Sequence, residues 1–384
     1  MDILYCIPAL YNAAGMERVL TEKINYLARV SKHNIYIVTT DQLNRPIRFE
    51  LDKTVRVFHL DIDYLDHFNA NLITKFFKHK KKQKIYKRKL ENLIKDLEID
   101  ICISLCGKEI DFLYKMNVSC KIIAEIHFAL NNRKQFMTSH FKGFIWKVLG
   151  EIRTKQLINS VKGLDKLVVL TKQDLLQWER YCSNVLQIPN PNPLKNAKVS
   201  SLESKHVISV GRLDAQKGYD LLIDAWQIVA KKHPDWILDI FGTGDWEVKL
   251  LNRINELNLN HNIKLRGLTS DVVSNYLESS IYVMSSRYEG LPMVLIESMS
   301  CGLPVVSFDC ECGPKEIITD GVDGFLVTPF DITDLASKIC VLVENSQLRK
   351  DMGKEAQIKS TSFSSDLIMP MWVKLFNELC LNKN

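Results

Sequence analysis

The sequence predicts an α/β protein built from two doubly wound parallel-sheet units. Three observations carry that reading. At 384 residues the chain exceeds the length at which a single hydrophobic core usually stops growing. Short apolar runs rich in β-branched residues recur without polar alternation and with helical segments between them, the pattern of a parallel sheet covered on both faces. The pattern breaks at Pro189-Asn190-Pro191-Asn192-Pro193, a linker by composition, and then starts again. The expected domains are residues 1-190 and 191-363. A terminal helix over 364-384 is expected to pack back on the first domain.

Each element has its own signal. Ile3 to Pro8 reads as the opening strand, and Glu17 to Ala28 as the patterned helix behind it. Ile35 to Thr39, Val55 to His59, Ile101 to Leu105, Ile122 to Ile126 and Leu167 to Leu170 supply the other strands of the first half. Tyr86, Leu90, Leu93, Ile94 and Leu97 recur at helical spacing, so a helix runs there with one packed face. In the second half Val207 to Val210, Ile237 to Phe241, Ile263 to Leu265, Ile281 to Met284, Pro304 to Phe308 and Gly324 to Val327 are the expected strands. Helices are expected from Gly218, Asp245, Asp271, Met293, Lys315 and Ile332. After Phe363, the stripe Met369, Trp372, Leu375, Phe376 and Leu379 is apolar enough to dock on a domain.

Composition narrows the function classes. Hydrophobic residues at 46% and charged residues at 25% are ordinary for a soluble globular chain. No apolar run approaches the roughly 18 residues that a spanning helix needs. Met1-Asp2-Ile3-Leu4-Tyr5 enters a strand without a basic leader, so no secretory signal is expected. Ten cysteines contain no C-x-x-C pair, which predicts reduced, mostly buried thiols in the cytoplasm. Charge is uneven: residues 1–190 hold 31 Lys and Arg against 20 Asp and Glu, and the remainder 20 against 25. The first half is therefore expected to meet something anionic.

Two motifs carry the chemistry. In Ser285-Ser286-Arg287-Tyr288-Glu289-Gly290-Leu291-Pro292-Met293, a buried strand turns sharply into a helix, with Pro292 suited to a first helical position. Glu289 falls at the strand's carboxyl end and Glu297 on the second helical turn. Ligands of open α/β sheets bind at such ends, helix amides attract phosphate, and carboxylates accept from sugar hydroxyls. Together these suit a sugar attached to a phosphate. In Gly211-Arg212-Leu213-Asp214-Ala215-Gln216-Lys217-Gly218, glycines allow close backbone approach while Arg212 and Lys217 offer two cations, a natural match for a pyrophosphate. Phe241-Gly242-Thr243-Gly244-Asp245 either lets a nucleotide lie close or makes a tight strand-to-helix turn.

In this order and spacing the two motifs resemble those of the retaining glycosyltransferases of family 4, and among them the capsule and exopolysaccharide enzymes. The resemblance implies the GT-B fold, two Rossmann-like domains facing across a cleft. It implies that Arg212 and Lys217 hold the donor's diphosphate, that Glu289 touches the donor hexose and that Glu297 binds the ribose hydroxyls. Amides around Gly290, Leu291, Met293 and Val294 would complete the phosphate cradle, with Gly211 and Gly242 close to the nucleotide and backbone near Leu268 meeting the base. Asn12-Ala13-Ala14-Gly15-Met16-Glu17-Arg18 is similar to the family's Gly-Gly-x-Glu-Arg turn, with Ala14 in place of its first glycine, so that Gly15 alone keeps the flexible position. His127, at the end of Ile122 to Ile126, stands where the family often has a histidine against the transferred sugar; a structural histidine is the other reading. Cys312-Gly313-Pro314-Lys315-Glu316 resembles the segment behind that sugar. The catalytic set expected from the resemblance is Arg212, Lys217, Glu289 and His127.

The expected activity is transfer of a hexose or N-acetylhexosamine from a nucleotide-diphosphate sugar, UDP rather than GDP, with retention of configuration. The donor is a substrate; no cofactor and no metal are expected, since protein cations serve the leaving group and Asp61-Ile62-Asp63 reads as loop. The acceptor is expected to be a glycan or a polyprenyl-diphosphate-linked oligosaccharide, reached by a cytoplasmic protein peripheral at the inner face of the membrane. Residues 78–89 hold eight Lys or Arg and no acid. Lys80, Lys81, Lys82, Lys84 and Arg88, with Arg133 and Trp146 in a second basic and aromatic stretch, are the expected contacts to anionic lipid. Nothing resembles a base-reading module, so nucleic acid is not expected. The first strand lacks the Gly-x-Gly-x-x-Gly turn of an NAD dehydrogenase. The rivals are a sugar-nucleotide epimerase of the same architecture and a non-catalytic binding protein.

Overall fold

The computed structural model describes residues 1–12, 15–64, 72–130, 144–194 and 197–381, with the backbone alone for 72, 73, 75, 76 and 144–147. The chain divides into two compact units. One comprises Met1–Leu130, Glu151–Pro193 and Ser365–Asn384; the other comprises Asn131–Gly150 and Leu194–Ser364.

The first unit runs β1 (Asp2–Ile7), helix Gly15–Arg29, β2 (Asn34–Thr39), β3 (Arg56–His59), helix Leu72–Asp96, β4 (Ile101–Ser104) and β5 (Lys121–Ile126). After the helix Phe144–Lys162, which belongs to this unit from Glu151 onward, come β6 (Lys166–Val169), helix Lys172–Trp178 and β7 (Val185–Gln187). The seven strands lie in the order β3-β2-β1-β4-β5-β6-β7, every pair parallel. Strand order reverses between β1 and β4, where Ile3 faces Ile101 and Cys6 faces Ser104. That reversal opens a crevice at the strands' carboxyl ends.

Helix Gly15–Arg29 forms because Leu20, Ile24 and Leu27 fall on one buried face, with Glu17 in the first turn and Arg29 in the last to oppose the dipole. Tyr86, Leu90 and Ile94 likewise bury one face of Leu72–Asp96. On its other face Lys82 donates to Asp63 O, Lys87 to Lys115 O at 2.6 Å and Lys89 to Leu60 O at 2.6 Å. Part of the basic cluster therefore ties the helix to its own unit, while Lys80, Lys81, Lys84 and Arg88 are exposed. Arg133 lies outside the described residues, as does the side chain of Trp146. Helix Ser365–Leu381 packs Met369, Trp372, Leu375 and Phe376 against Ile3, Tyr5 and Ile24 of the first unit.

The second unit runs β8 (His206–Val210), helix Tyr219–Lys232, β9 (Ile237–Phe241), helix Glu247–Glu256, β10 (Ile263–Gly267), helix Val272–Leu277 and β11 (Ile281–Met284). Helix Met293–Ser300, β12 (Val305–Phe308), helix Pro314–Ile317, β13 (Gly324–Val327) and helices Ile332–Glu344 and Ser346–Ser360 complete it. Its strand order, β10-β9-β8-β11-β12-β13, again parallel, reverses between β8 and β11. The sequence reading did not name β7 or the helices Phe144–Lys162, Lys172–Trp178 and Ser346–Ser360. β7 has three residues and no apolar run; Ser346–Ser360 is mostly polar. The latter starts because the Asn345 side chain accepts from Leu348 N, a cap worth about 1 kcal/mol. It packs closely because a Cβ on Gly353 would stand 2.3 Å from Gly302 O.

All ten cysteines are free and nine are buried. Among the described residues no helix is long and apolar enough to cross a membrane. Asn190 and Asn192 are buried, so the proline-rich stretch packs rather than merely connects.

Candidate active site

The loop after β8 is held by its own polar groups. Asp214 Oδ1 accepts from Gln216 N at 3.0 Å and Lys217 N at 3.2 Å, closing a turn that ends in Gly218. Gly218 sits at φ 65°, and a Cβ there would meet Ser285 O at 2.2 Å, so only glycine fits. Helix Tyr219–Lys232 starts immediately after it. Gly211 is needed for a different reason: a side chain there would strike Tyr219 Oη and the aliphatic part of Lys217. With that space open, Lys217 crosses the loop and places Nζ 2.7 Å from Glu289 Oε1.

Glu289 lies just past β11 and is 6% exposed. Its loop is fixed by a parallel bridge from Tyr288 to Glu311 and by Gly313, where a Cβ would stand 2.3 Å from Pro292 Cδ and 2.5 Å from Gly290 O. Pro292 takes the capping position rather than the first helical one, and the helix begins at Met293. Glu297 is also 6% exposed. Burial first, then the charges of Tyr219, Glu289 and Glu297, push the Tyr282 phenol up; both carboxylates thus bear on one buried ring at the same sheet end. The first amides of this helix, at Met293 and Val294, have no partner within it by geometry alone.

Arg212 extends toward solvent, 3.3 Å from Asp214 Oδ2 and 3.3 Å from Gln216 Oε1. Gln216 Nε2 donates in turn to Tyr288 O at 3.1 Å. The four side chains singled out by the motifs therefore share one unit. Lys217 and Glu289 touch, the charges of Glu289 and Glu297 both act on the buried Tyr282 phenol, and Arg212 connects through Gln216 to the backbone beside Glu289.

Arg287 was not anticipated, though it stands within the glutamate motif. Its guanidinium donates to both Asp220 oxygens, at 2.9 and 2.8 Å, and to Ala215 O at 2.9 Å. Its backbone N–H donates to Gln216 O at 2.7 Å. This residue fastens the cation loop to the glutamate loop. Arg287→Lys retains the charge but not the planar fork. It is expected to lower stability by about 1–2 kcal/mol in a denaturant titration, since a partly exposed, charge-assisted cluster is replaced by a point contact.

Gly242 has φ 146°, and a Cβ on it would fall 1.9 Å from Gly211 O; one on Gly244 would fall 2.4 Å from Leu213 O. The glycine pair is thus demanded by the chain's own loop, which settles its steric reason without a ligand. Leu268 follows β10 and is 73% exposed, next to Gly267, whose carbonyl accepts from Gly242 N at 2.8 Å. Gly15 does not hold a left-handed conformation. It is the first residue of its helix, and among the described residues an added Cβ meets nothing within 4 Å. Asp61 and Asp63 lie in a loop.

A second polar cluster occupies the carboxyl ends of β1 and β5 in the first unit. His127 Nε2 lies 3.0 Å from Glu125 Oε1, and its Nδ1 lies 3.4 Å from Asn190 Nδ2. Lys23 Nζ contacts both Glu125 oxygens at 2.6 Å. Burial would push the Glu125 carboxyl up, but Lys23 and His127 outweigh it and hold it at about 2. Burial pushes the Glu17 carboxyl up, with Asn12 donating to Oε1 at 3.0 Å. Lys23 and Glu125 went unread in the sequence, although a lysine on the Leu20–Ile24–Leu27 face and a glutamate between Ala124 and Ile126 are charges at expected core positions.

Residues 192–359 match the family described as Glycosyl transferases group 1. A Haemophilus influenzae protein named as an uncharacterized glycosyltransferase is 31% identical over 371 residues, covering 94% of this chain and 96% of its own. A Campylobacter jejuni protein is 26% identical over 388 residues, 99% of each chain; it is named as an alpha-1,4-N-acetyl-D-galactosaminyltransferase acting on GalNAc-alpha-(1->4)-GalNAc-alpha-(1->3)-diNAcBac-PP-undecaprenol. Among solved structures, a variant of S. aureus TarM with fondaparinux, alpha-GlcNAc-glycerol and UDP superposes with TM-score 0.79 at 20% identity, covering 98% of this chain and all of that one. Sucrose-phosphate synthase from Thermosynechococcus elongatus superposes with TM-score 0.82 at 18% identity over the whole of both chains.

Proposed function

We propose a reaction for this chain from one premise, that it belongs to the group 1 glycosyltransferases and has their GT-B fold of two parallel-sheet units. The reaction is transfer of a hexose or N-acetylhexosamine from a UDP-sugar to a glycan acceptor, with retention of configuration, in the assembly of a surface polysaccharide. Within the family this corresponds to the retaining enzymes of family 4.

The observation that carries the reading is the Lys217–Glu289 pair at the strand reversal of the second sheet. A diphosphate entering there meets Lys217 and Arg212, and the first amides of Met293–Ser300 add their partial charge. Glu289 then turns from lysine to the hydroxyls of the hexose, and Glu297 takes those of the ribose. As the glycosidic bond stretches, the electron pair moves to the diphosphate oxygen, where these cations already stand; preorganised donors of this kind are the largest source of rate in many enzymes. Charge stabilisation is thus supplied by protein groups, without a divalent metal. The acceptor hydroxyl loses its proton to the departing phosphate on the same face, which preserves configuration. His127 contributes a hydrogen bond to the transferred sugar.

The acceptor is a glycan on a polyprenyl diphosphate, a reading supported by the named substrate of the Campylobacter relative. Lys80, Lys81, Lys84 and Arg88, exposed along Leu72–Asp96, meet anionic lipid at the cytoplasmic face. The test is transfer from a panel of UDP- and GDP-sugars to an undecaprenyl-diphosphate oligosaccharide, with the anomeric configuration read by proton NMR. The expected result is one UDP-sugar consumed with retention, in EDTA as in magnesium, and stabilisation by UDP that disappears in Glu297→Ala. Isomerisation of a donor without an acceptor, an inverted product, or binding without turnover would overturn the reading.

A further inference from the structure

His233, Cys340 and Glu344 bring one nitrogen, one sulfur and one carboxylate oxygen together in the second unit, all three atoms within 4.8 Å of one another. Two helix ends produce this convergence. His233 closes helix Tyr219–Lys232, and Glu344 is the last residue of helix Ile332–Glu344. Cys340 and Glu344 stand one helical turn apart, so both face the same way. The two helices pack side by side and share a buried core that includes Val229, Ala230, Ile339 and Cys340 itself.

Each residue also has an ordinary reading. His233 Nε2 lies 3.0 Å from Glu344 Oε1, a contact open to any partly exposed pair. A buried cysteine usually serves as a small apolar residue, and Cys340 is 4% exposed. Neither reading requires the thiol to stand beside that pair. Burial pushes the Cys340 thiol up; Lys232 opposes that shift and Glu344 adds to it. A metal ion reverses the balance, because a coordinating thiol is deprotonated outright. Both helix ends present negative partial charge, which favours a cation. Lys232 is exposed, so its ammonium can stay in solvent.

The donor set selects the metal. Mg²⁺ and Ca²⁺ take oxygen ligands, whereas sulfur, imidazole and carboxylate together suit Zn²⁺. Zinc bonds of about 2.0–2.3 Å place ligand atoms of a tetrahedral shell about 3.4–3.6 Å apart. His233 and Glu344 then part slightly and the sulfur moves in by about 1 Å, which side-chain rotation supplies. The Glu344 side chain is 56% exposed, giving the ion a path from solvent.

We propose that His233 Nε2, Cys340 Sγ and a Glu344 oxygen bind one Zn²⁺ ion, with water as fourth ligand, and that the ion clamps the carboxyl ends of the two helices. On binding, the thiol proton passes to solvent and the sulfur electron pair goes to zinc. The helix that ends at His233 has 14 residues and begins beside the cation loop, so the ion stands about 21 Å from that loop along the helix axis. Its role is therefore structural, and it is independent of the sugar-transfer reading.

The test uses the full-length chain stripped of metal and titrated with Co²⁺ and then Zn²⁺. One Co²⁺ per chain is expected, with a thiolate charge-transfer band and tetrahedral d–d bands that zinc abolishes. Competition with a chromophoric chelator should give a zinc Kd of about 10 μM or below. At about 100 times that Kd, zinc should raise the melting temperature by roughly 5 °C or more. Cys340→Ser should lose the charge-transfer band, and His233→Ala should bind zinc at least about tenfold more weakly. Glu344→Gln changes a half-exposed side chain and is expected to melt like the wild type without metal, yet to bind at least about tenfold more weakly. Cys380→Ser, which removes the cysteine of intermediate exposure, should bind as the wild type does. Weaker wild-type binding, a cobalt spectrum without the thiolate band, or undiminished affinity in Glu344→Gln would overturn the proposal.

Discussion

Lys217→Ala is expected to lower sugar transfer by a factor on the order of 10² or more, the loss typical of removing one preorganised donor from a developing charge. The effect should fall on kcat as well as on donor affinity, because the diphosphate carries more charge in the transition state than in the ground state. Lys217→Arg should not restore the rate. Lys217 passes Gly211 to make a single point contact with Glu289 Oε1 at 2.7 Å, which a planar guanidinium fork does not reproduce. Steady-state kinetics with saturating acceptor separate the two parameters. A variant with unchanged kcat and a raised donor KM would show that Lys217 only binds. The internal pair with Glu289 makes a further distinction: Glu289→Gln frees the ammonium, so UDP alone should bind at least as well as to the wild type while transfer falls. Uncoupling product affinity from turnover in this way is not expected of a residue that serves only stability.

Gly242→Ala is expected to be the most destabilising conservative change in the second unit. The new methyl would stand 1.9 Å from Gly211 O, a backbone atom that cannot rotate away, at φ 146°, a conformation that alanine rarely takes. Strain at such a position and local overpacking each cost roughly 1–3 kcal/mol, so a loss of about 3 kcal/mol or more is expected. For a unit of this size that corresponds to a fall in melting temperature of roughly 6–12 °C. Calorimetry reads the shift directly. A fall of one or two degrees would mean that the loop can move aside, and then UDP affinity should suffer instead, since the displaced carbonyl belongs to the residue before Arg212.

The architecture and the second-unit motifs were legible because each is local. Ile237–Phe241, Ile281–Met284, Gly324–Val327 and helix Met293–Ser300 occupy the spans expected for them, since a buried parallel strand or short apolar helix announces itself by an uninterrupted run. Arg212, Lys217, Glu289 and Glu297 were legible because their loops combine glycine, cations and carboxylates within a few residues. What escaped was non-local. The partner of Lys23 is 102 residues away, and a single lysine on a helix is normally written off as a chain reaching for solvent. Glu125 sits in a strand whose neighbours are all apolar, a local inconsistency that marks a functional or strained position. The glycines divide similarly. Gly218 and Gly242 are explained only by atoms 67 and 31 residues distant, whereas Gly15, singled out in the sequence, meets no described atom within 4 Å. His127 was placed correctly at its strand end, but which atoms its two nitrogens face depends on Asn190, a residue read as linker.

The position of helix Ser365–Leu381 has a consequence for biogenesis. The strands of the first sheet are synthesised early, yet the helix that roofs Lys23 leaves the ribosome only after every strand of the second sheet. Until then an ammonium and a carboxylate wait beneath an open seam, and the second-made unit can close before the first-made one. A nascent chain that stops before Ser365 lacks the helix that covers Lys23, and its first sheet is expected to be cut by protease faster than that of the full-length chain.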